Sequence, residues 1–123
     1  MVEDDPQVLD LVTRVLLSQG YRVRTAANAA VAQGIVRSHP GETDLLLTDV
    51  VLPGTDGRRL AVALAQLQPT LATLFMSGYS DEVIARHRVL DPGLALLAKP
   101  FTPETLLHRV RDVLDARIVT PRA

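Results

Sequence analysis

Few charged or hydroxyl side chains in this chain follow directly on apolar runs, and those that do are of complementary kinds. Glu3 and Asp4 stand near the amino terminus; Asp49 closes "LLLTD", Ser77 closes "LATLFMS" and Lys99 closes "LALLAK". A carboxylate at the end of a buried strand is costly unless a cation, a set of donors or a reaction compensates it. Several carboxylates in one place repel one another, which favours a bound cation. Hard oxygen ligands and a small site suit Mg²⁺, which keeps several waters and takes one or two carboxylates directly. Lys99 adds an ammonium and Ser77 a hydroxyl. Such a set around one carboxylate is suited to a phosphoryl group, with Asp49 as candidate nucleophile and an aspartyl phosphate as product.

These residues meet only if the elements between them bring them together. Asp5-Pro6 is a helix start, with an acid at the cap and proline in the first turn. Val8, Leu11, Val12, Val15 and Leu16 follow at helical spacing, and Gly20 closes the helix. "YRVRTA" (21–26) alternates as a strand; residues 28–38 carry a helical pattern with Ala27, Ala30, Val31 and Ile35 on one side. "DLLLTD" reads as the next strand, and Leu60, Ala63, Leu64 and Leu67 mark the helix after its loop. A strand over 71–78, a helix over 81–89, a strand over 94–98 and a helix from Thr102 to about Ala116 complete the series. Near-continuous apolar strands alternating with helices predict an α/β fold, a doubly wound (βα)5 domain with a five-stranded parallel sheet. In such sheets ligands bind at the carboxyl ends of the strands, where Asp49, Ser77 and Lys99 stand.

Composition narrows the function classes. The 123 residues suffice for one domain with a core. A net charge of −1, no basic block and 3% aromatics argue against nucleic-acid binding. The absence of cysteine excludes thiol catalysis and thiolate metal sites. No apolar run approaches the roughly 20 residues that span a bilayer, so a cytoplasmic domain without membrane contact is expected.

Taken together, "VEDDP", "LLLTDVVLPGTDG", "FMSGY" and "LAKPF" closely resemble the receiver domain of two-component response regulators, over essentially the whole chain. The resemblance implies a flavodoxin-like fold and phosphoryl transfer from a histidine kinase or histidine phosphotransfer domain onto Asp49. It also implies Mg²⁺ bound by Asp4 directly, by Glu3 through water, by Asp49 and by the backbone carbonyl of Val51. Ser77 matches the switch hydroxyl of the family and Lys99 its lysine, with Lys99-Pro100 a bond that is often cis there. Gly78 leaves room for the phosphodonor. Pro53 and Gly57 shape the loop after the nucleophile, where glycine supplies a positive φ. Output is expected on the face formed by the fourth helix, fifth strand and fifth helix, which also offers a homodimer contact. The wording from "FMSGYSDE" to "FTPETLL" is most like the carboxyl-terminal receivers of hybrid sensor histidine kinases, which makes the parent kinase a candidate partner. The receiver is expected over residues 1–117, with 118–123 as a tail.

Two departures stand out. Only Met1 and Val2 precede Glu3, so the first strand is expected to be truncated, and Leu96 occupies a position where many receivers carry an aromatic ring. They motivate an alternative, a pseudo-receiver that binds partners without phosphorylation. An aspartyl phosphatase is disfavoured, because Val51 stands where its second acid is needed. His39, His87 and His108 read as surface residues, Asp56 as a turn residue, and Arg58, Arg59, Arg86 and Arg88 as solvated faces.

Overall fold

In the computed structural model, which describes residues 1–77 and 95–119, each helix begins at a side chain able to cap it. Helix α1 (Pro6–Ser18) starts after Asp5, whose Oδ1 accepts from the Gln7 N–H at 2.9 Å. Helix α2 (Ala29–Ser38) starts after Asn28, whose Oδ1 accepts from the Val31 N–H. Strand β1 (Leu45–Asp49) leads into a short hairpin, β2 (Val51–Leu52) and β3 (Thr55–Asp56). Its Pro53-Gly54 turn places Gly54 at φ +73°, where a side chain would be strained. Helix α3 (Gly57–Leu67) is capped by Asp56, which is therefore more than a turn residue. Strands β4 (Ala72–Ser77) and β5 (Leu96–Ala98) follow, then α4 (Pro103–Val119), at whose start the Thr102 hydroxyl accepts from the Thr105 N–H.

The sheet runs β1-β4-β5, all parallel, with Leu47 opposite Leu74, Asp49 opposite Met76 and Ser77 opposite Ala98. On the free side of β1, Val2 forms parallel bridges to both Thr48 and Ala26. The spatial order is thus the 21–26 segment, Val2, β1, β4, β5, the doubly wound arrangement the sequence predicts. Three of the five expected strands are full strands. The first is reduced to one bridging residue, Val2. The second bridges only at Ala26, since its neighbour in the sheet is that same short segment.

Successive residues of a buried strand face opposite sides, and Leu46 and Leu47 accordingly join different core clusters. Leu47, Leu74, Met76 and Leu97 pack with Val12 and Leu16 of α1 and with Leu106, Val110 and Leu114 of α4. Leu46, Val2 and Ala26 pack with Ala32 and Val36 of α2 and with Leu60 and Leu64 of α3. Aliphatic side chains buried on both faces contribute about 1.5–3 kcal/mol each.

Several boundaries and faces differ from expectation. Helix α2 buries Ala32 and Val36, while Ala30 and Val31 are exposed. Leu11 and Leu67 also face outward. Helix α4 continues to Val119, past the expected end near Ala116. The helix expected over 81–89, with Arg86, His87 and Arg88, lies outside the described residues, as do Gly78 and Tyr79.

Candidate functional site

Two backbone devices bring two carboxylates side by side. The Val2 N–H donates to the Leu47 carbonyl at 2.8 Å, and the Asp49 N–H donates back to the Val2 carbonyl at 3.3 Å. With Val2 level with Thr48, the next residues in parallel register are Glu3 and Asp49. Glu3 is further anchored by its N–H to the Ala26 carbonyl at 3.1 Å, and it is 1% exposed. Asp49 is 6% exposed.

Lys99 reaches both from the end of β5. Its Nζ lies 2.6 Å from Glu3 Oε1 and 2.7 Å from Asp49 Oδ1. The backbone fixes its base: the Lys99 N–H donates to the Ser77 carbonyl at 2.8 Å, and the Lys99–Pro100 bond is cis, as the resemblance implies. Ser77 is buried at the carboxyl end of β4, one residue beyond Met76, the partner of Asp49. Asp4 is exposed, yet carboxylate oxygens of Glu3, Asp4 and Asp49 all lie within 4.8 Å of one another. Val51 opens β2 two residues after Asp49.

This crowding shifts the acids in opposite directions. Burial is the main force raising Asp49, and the neighbouring Glu3 adds to it; the Lys99 ammonium opposes both, leaving Asp49 at about 7. Burial also pushes Glu3 upward, but hydrogen bonds with Asp49, Lys99 and the Asp5 N–H outweigh it and hold Glu3 at about 2. Lys99 loses stabilisation of its charge by burial and regains more from Asp49 and Glu3, so its pKa is raised. Glu3 and Asp49 share one ammonium, and Asp4 adds a third carboxylate at an edge that meets solvent. That donor set, all hard oxygens with one solvated acid, fits a hydrated divalent cation such as Mg²⁺.

The sequence reading missed why Gly57 is needed. It does not adopt a positive φ; Gly54 does. Gly57 instead lies against the site, where a Cβ would overlap the Asp49 carbonyl oxygen, and its N–H donates to the Val50 carbonyl at 2.6 Å. Thr48 is fully buried, and its hydroxyl donates to the Asp49 carbonyl at 3.0 Å. A threonine in a strand carries no distinguishing signal, whereas the Asp-Gly pair before a helical pattern does suggest a tight turn into α3. Of the histidines, His39 caps α2 with its ring Nδ1 3.0 Å from the Ile35 carbonyl and His108 is exposed, so neither reaches the site. Arg59 is exposed and pairs loosely with Asp56.

Comparison with known proteins points to one family. The family described as "Response regulator receiver domain" matches residues 1–111. The sensor kinase CckA of Brucella abortus is 35% identical over 115 residues, which cover 94% of this chain and 12% of that kinase. A solved receiver domain from the hybrid histidine kinase CckA superposes with a TM-score of 0.77 at 33% identity, covering 92% of this chain and 94% of that one. A solved putative response regulator from Chloroflexus aurantiacus J-10-fl gives 0.79 at 35% identity, with 93% of each chain covered.

Proposed function

The chain belongs to the response regulator receiver family, the phosphoryl acceptors of two-component systems, and from that premise we propose that Asp49 is its acceptor. The observation that carries this reading is the Lys99 ammonium, within 2.7 Å of both Glu3 and Asp49 at the carboxyl edge of the sheet. In the proposed reaction an Asp49 carboxylate oxygen attacks the phosphorus of a phosphohistidine in line. The P–N bond breaks as the new P–O bond forms, and the imidazole leaves with the electron pair and takes up a proton. Lys99 holds Asp49 in place and offers positive charge to the incoming phosphoryl oxygens. Ser77 is the hydroxyl that meets the product.

Receivers typically bind Mg²⁺, and Glu3, Asp4, Asp49 and the Val51 carbonyl are the proposed ligands here. When bound, the ion supplies charge neutralisation for the phosphoryl oxygens. Glu3 takes no proton from the reaction in this scheme; it orients Lys99 from the opposite side. Nothing in the site favours a phosphate-silent binding module. The proposed partner is a histidine kinase or a histidine phosphotransfer domain, including a kinase on the same polypeptide. The proposed receiver unit spans residues 1–117, and its proposed compartment is the cytoplasm; no helix among the described residues is long and apolar enough to cross a membrane.

The test is Asp49→Asn incubated with acetyl phosphate and Mg²⁺, followed by intact-mass measurement. Native chain gains one phosphoryl group and the variant gains none. Undiminished Mg²⁺-dependent labelling of Asp49→Asn sinks the assignment.

A further inference from the structure

Asp49 carries two oxygen-bearing groups, and the proposed reaction uses only its carboxylate. Its main-chain carbonyl is held in a crowded place. The Asp49 N–H turns toward Val2, and a parallel ladder turns the carbonyl of the same residue to the same side. Strand β1 ends at this residue, and the Thr48 hydroxyl donates to the Asp49 carbonyl at 3.0 Å. Gly57 packs on the same oxygen: a Cβ there would overlap it and would also crowd the Thr48 Cγ2 methyl. Thr48 therefore meets both partners of the close approach, its hydroxyl on one and its methyl beside the other. It is 0% exposed, so solvent does not compete for that hydroxyl.

The backbone after Asp49 is clamped group by group. The Val50 N–H donates to the Met76 carbonyl at 2.9 Å, and the Val50 carbonyl accepts from the Gly57 N–H at 2.6 Å. Those bonds join main chain to main chain, whereas the Asp49 carbonyl is taken by a side chain. A planar peptide group held only at its N–H can still tilt about the flanking dihedrals; held at both ends it cannot. The tilt matters because the Asp49–Val50 peptide lies between the Asp49 carboxylate and the Val51 carbonyl, two of the proposed oxygen ligands. Packing alone does not call for a hydroxyl at this place. Valine fills the same volume in a buried strand, and a buried hydroxyl costs free energy unless it is bonded.

We propose that Thr48 is a positioning residue, whose hydroxyl fixes the Asp49–Val50 peptide and with it the spacing of the Asp49 carboxylate and the Val51 carbonyl around a divalent cation. The inference rests on the ligand set proposed above. Thr48 touches neither the ion nor the phosphoryl group in this scheme; it acts through the backbone. Groups that orient metal ligands from behind change metal affinity roughly ten- to hundred-fold when they are removed.

Two variants test this. Thr48→Val keeps the shape and removes the hydroxyl, and Thr48→Ser keeps the hydroxyl and removes the methyl. Mg²⁺ dissociation constants are measured by calorimetric titration of the phosphate-free chain, with urea midpoints alongside. Thr48→Val is expected to bind Mg²⁺ on the order of ten-fold more weakly, at a midpoint close to that of the native chain. Thr48→Ser is expected to have the lower midpoint, because it leaves a methyl-sized void, yet to keep the native Mg²⁺ affinity. A merely structural role gives the opposite ranking, with affinity following stability. Native affinity in Thr48→Val, or equal weakening in both variants, overturns the proposal. A native chain that binds no Mg²⁺ overturns this role together with the proposed ligands. One that binds Mg²⁺ and gains no phosphoryl group overturns Asp49 as acceptor alone.

Discussion

Glu3 and Asp49 reach the same lysine from supports of very different strength. Asp49 ends a strand of five residues, each registered against β4, with apolar side chains buried on both faces. Glu3 follows a single bridging residue, Val2, which is 1% exposed and whose backbone hydrogen bonds both run to β1, through the Leu47 carbonyl and the Asp49 N–H. The ladder resists displacement because many bonds and contacts must break together. The bridge holds because one side chain fills its place in the core and one carbonyl and one N–H of β1 fix its backbone. A site can thus have one rigid half and one half resting on a single residue, and variants separate the two.

The largest effect is expected on the rigid side. Leu74→Ala removes a fully buried side chain between β1 and β5 and costs about 2–5 kcal/mol in urea unfolding. The folded fraction should nevertheless bind beryllofluoride with Mg²⁺ as the native chain does, because the ladder keeps Asp49 in register. Gly57→Ala comes next. Its Cβ meets backbone rather than a flexible side chain, so the Asp49 carbonyl must move, at about 1–3 kcal/mol. Here both stability and acetyl-phosphate labelling fall; unchanged labelling would show that Asp49 tolerates a shift of its own backbone.

Val2→Ala is expected to be milder for stability and worse for the site. Two methylene equivalents correspond to about 1.5 kcal/mol. Beryllofluoride affinity should drop by more than this loss of stability alone entails, because Glu3 loses its anchor. If Val2→Ala and Leu74→Ala weaken affinity alike when measured on folded protein, the contrast between the two supports is wrong.

The sequence shows the strong half more clearly than the weak one, for physical reasons. "LLLTD" and "LATLFMS" announce buried strands because burial on both faces demands unbroken apolar residues. Asp5-Pro6 and Thr102 announce helix starts because caps need specific side chains. The Lys99–Asp49 and Lys99–Glu3 contacts follow from topology once the strands are recognised. The buried face of α2 is ambiguous in sequence because alanines and valines alternate there so evenly that helical spacing fits two stripes. The role of Gly57 was hidden because close backbone approach leaves no mark in sequence beyond the glycine itself. The shortness of the first strand could be counted, but Val2 as its sole bridge could not.

The pH dependence of the metal-free domain sets the two supports against each other. Asp49 rises from an ordinary 3.8 to about 7, so the folded state binds more protons than the unfolded state across that interval. By linkage its contribution to stability falls as pH rises from about 4 to 7. Glu3 falls from 4.5 to about 2, so its contribution is present above 4.5 and is lost as pH drops toward 2. The Met1 amino group, lowered from 8.0 to about 6 by burial, adds a rising limb between 6 and 8 that offsets part of the Asp49 decline. The net curve from these groups rises to a maximum near pH 4, declines most cleanly between 4 and 6, and turns upward again between 7 and 8. Urea midpoints taken in EDTA should show that decline, and Asp49→Asn should flatten it while leaving the loss below pH 4 in place. A native chain whose midpoint instead climbs steadily from pH 4 to 6 would mean that Lys99 outweighs burial at Asp49. The rigid half of the site would then also be its electrostatically relaxed half.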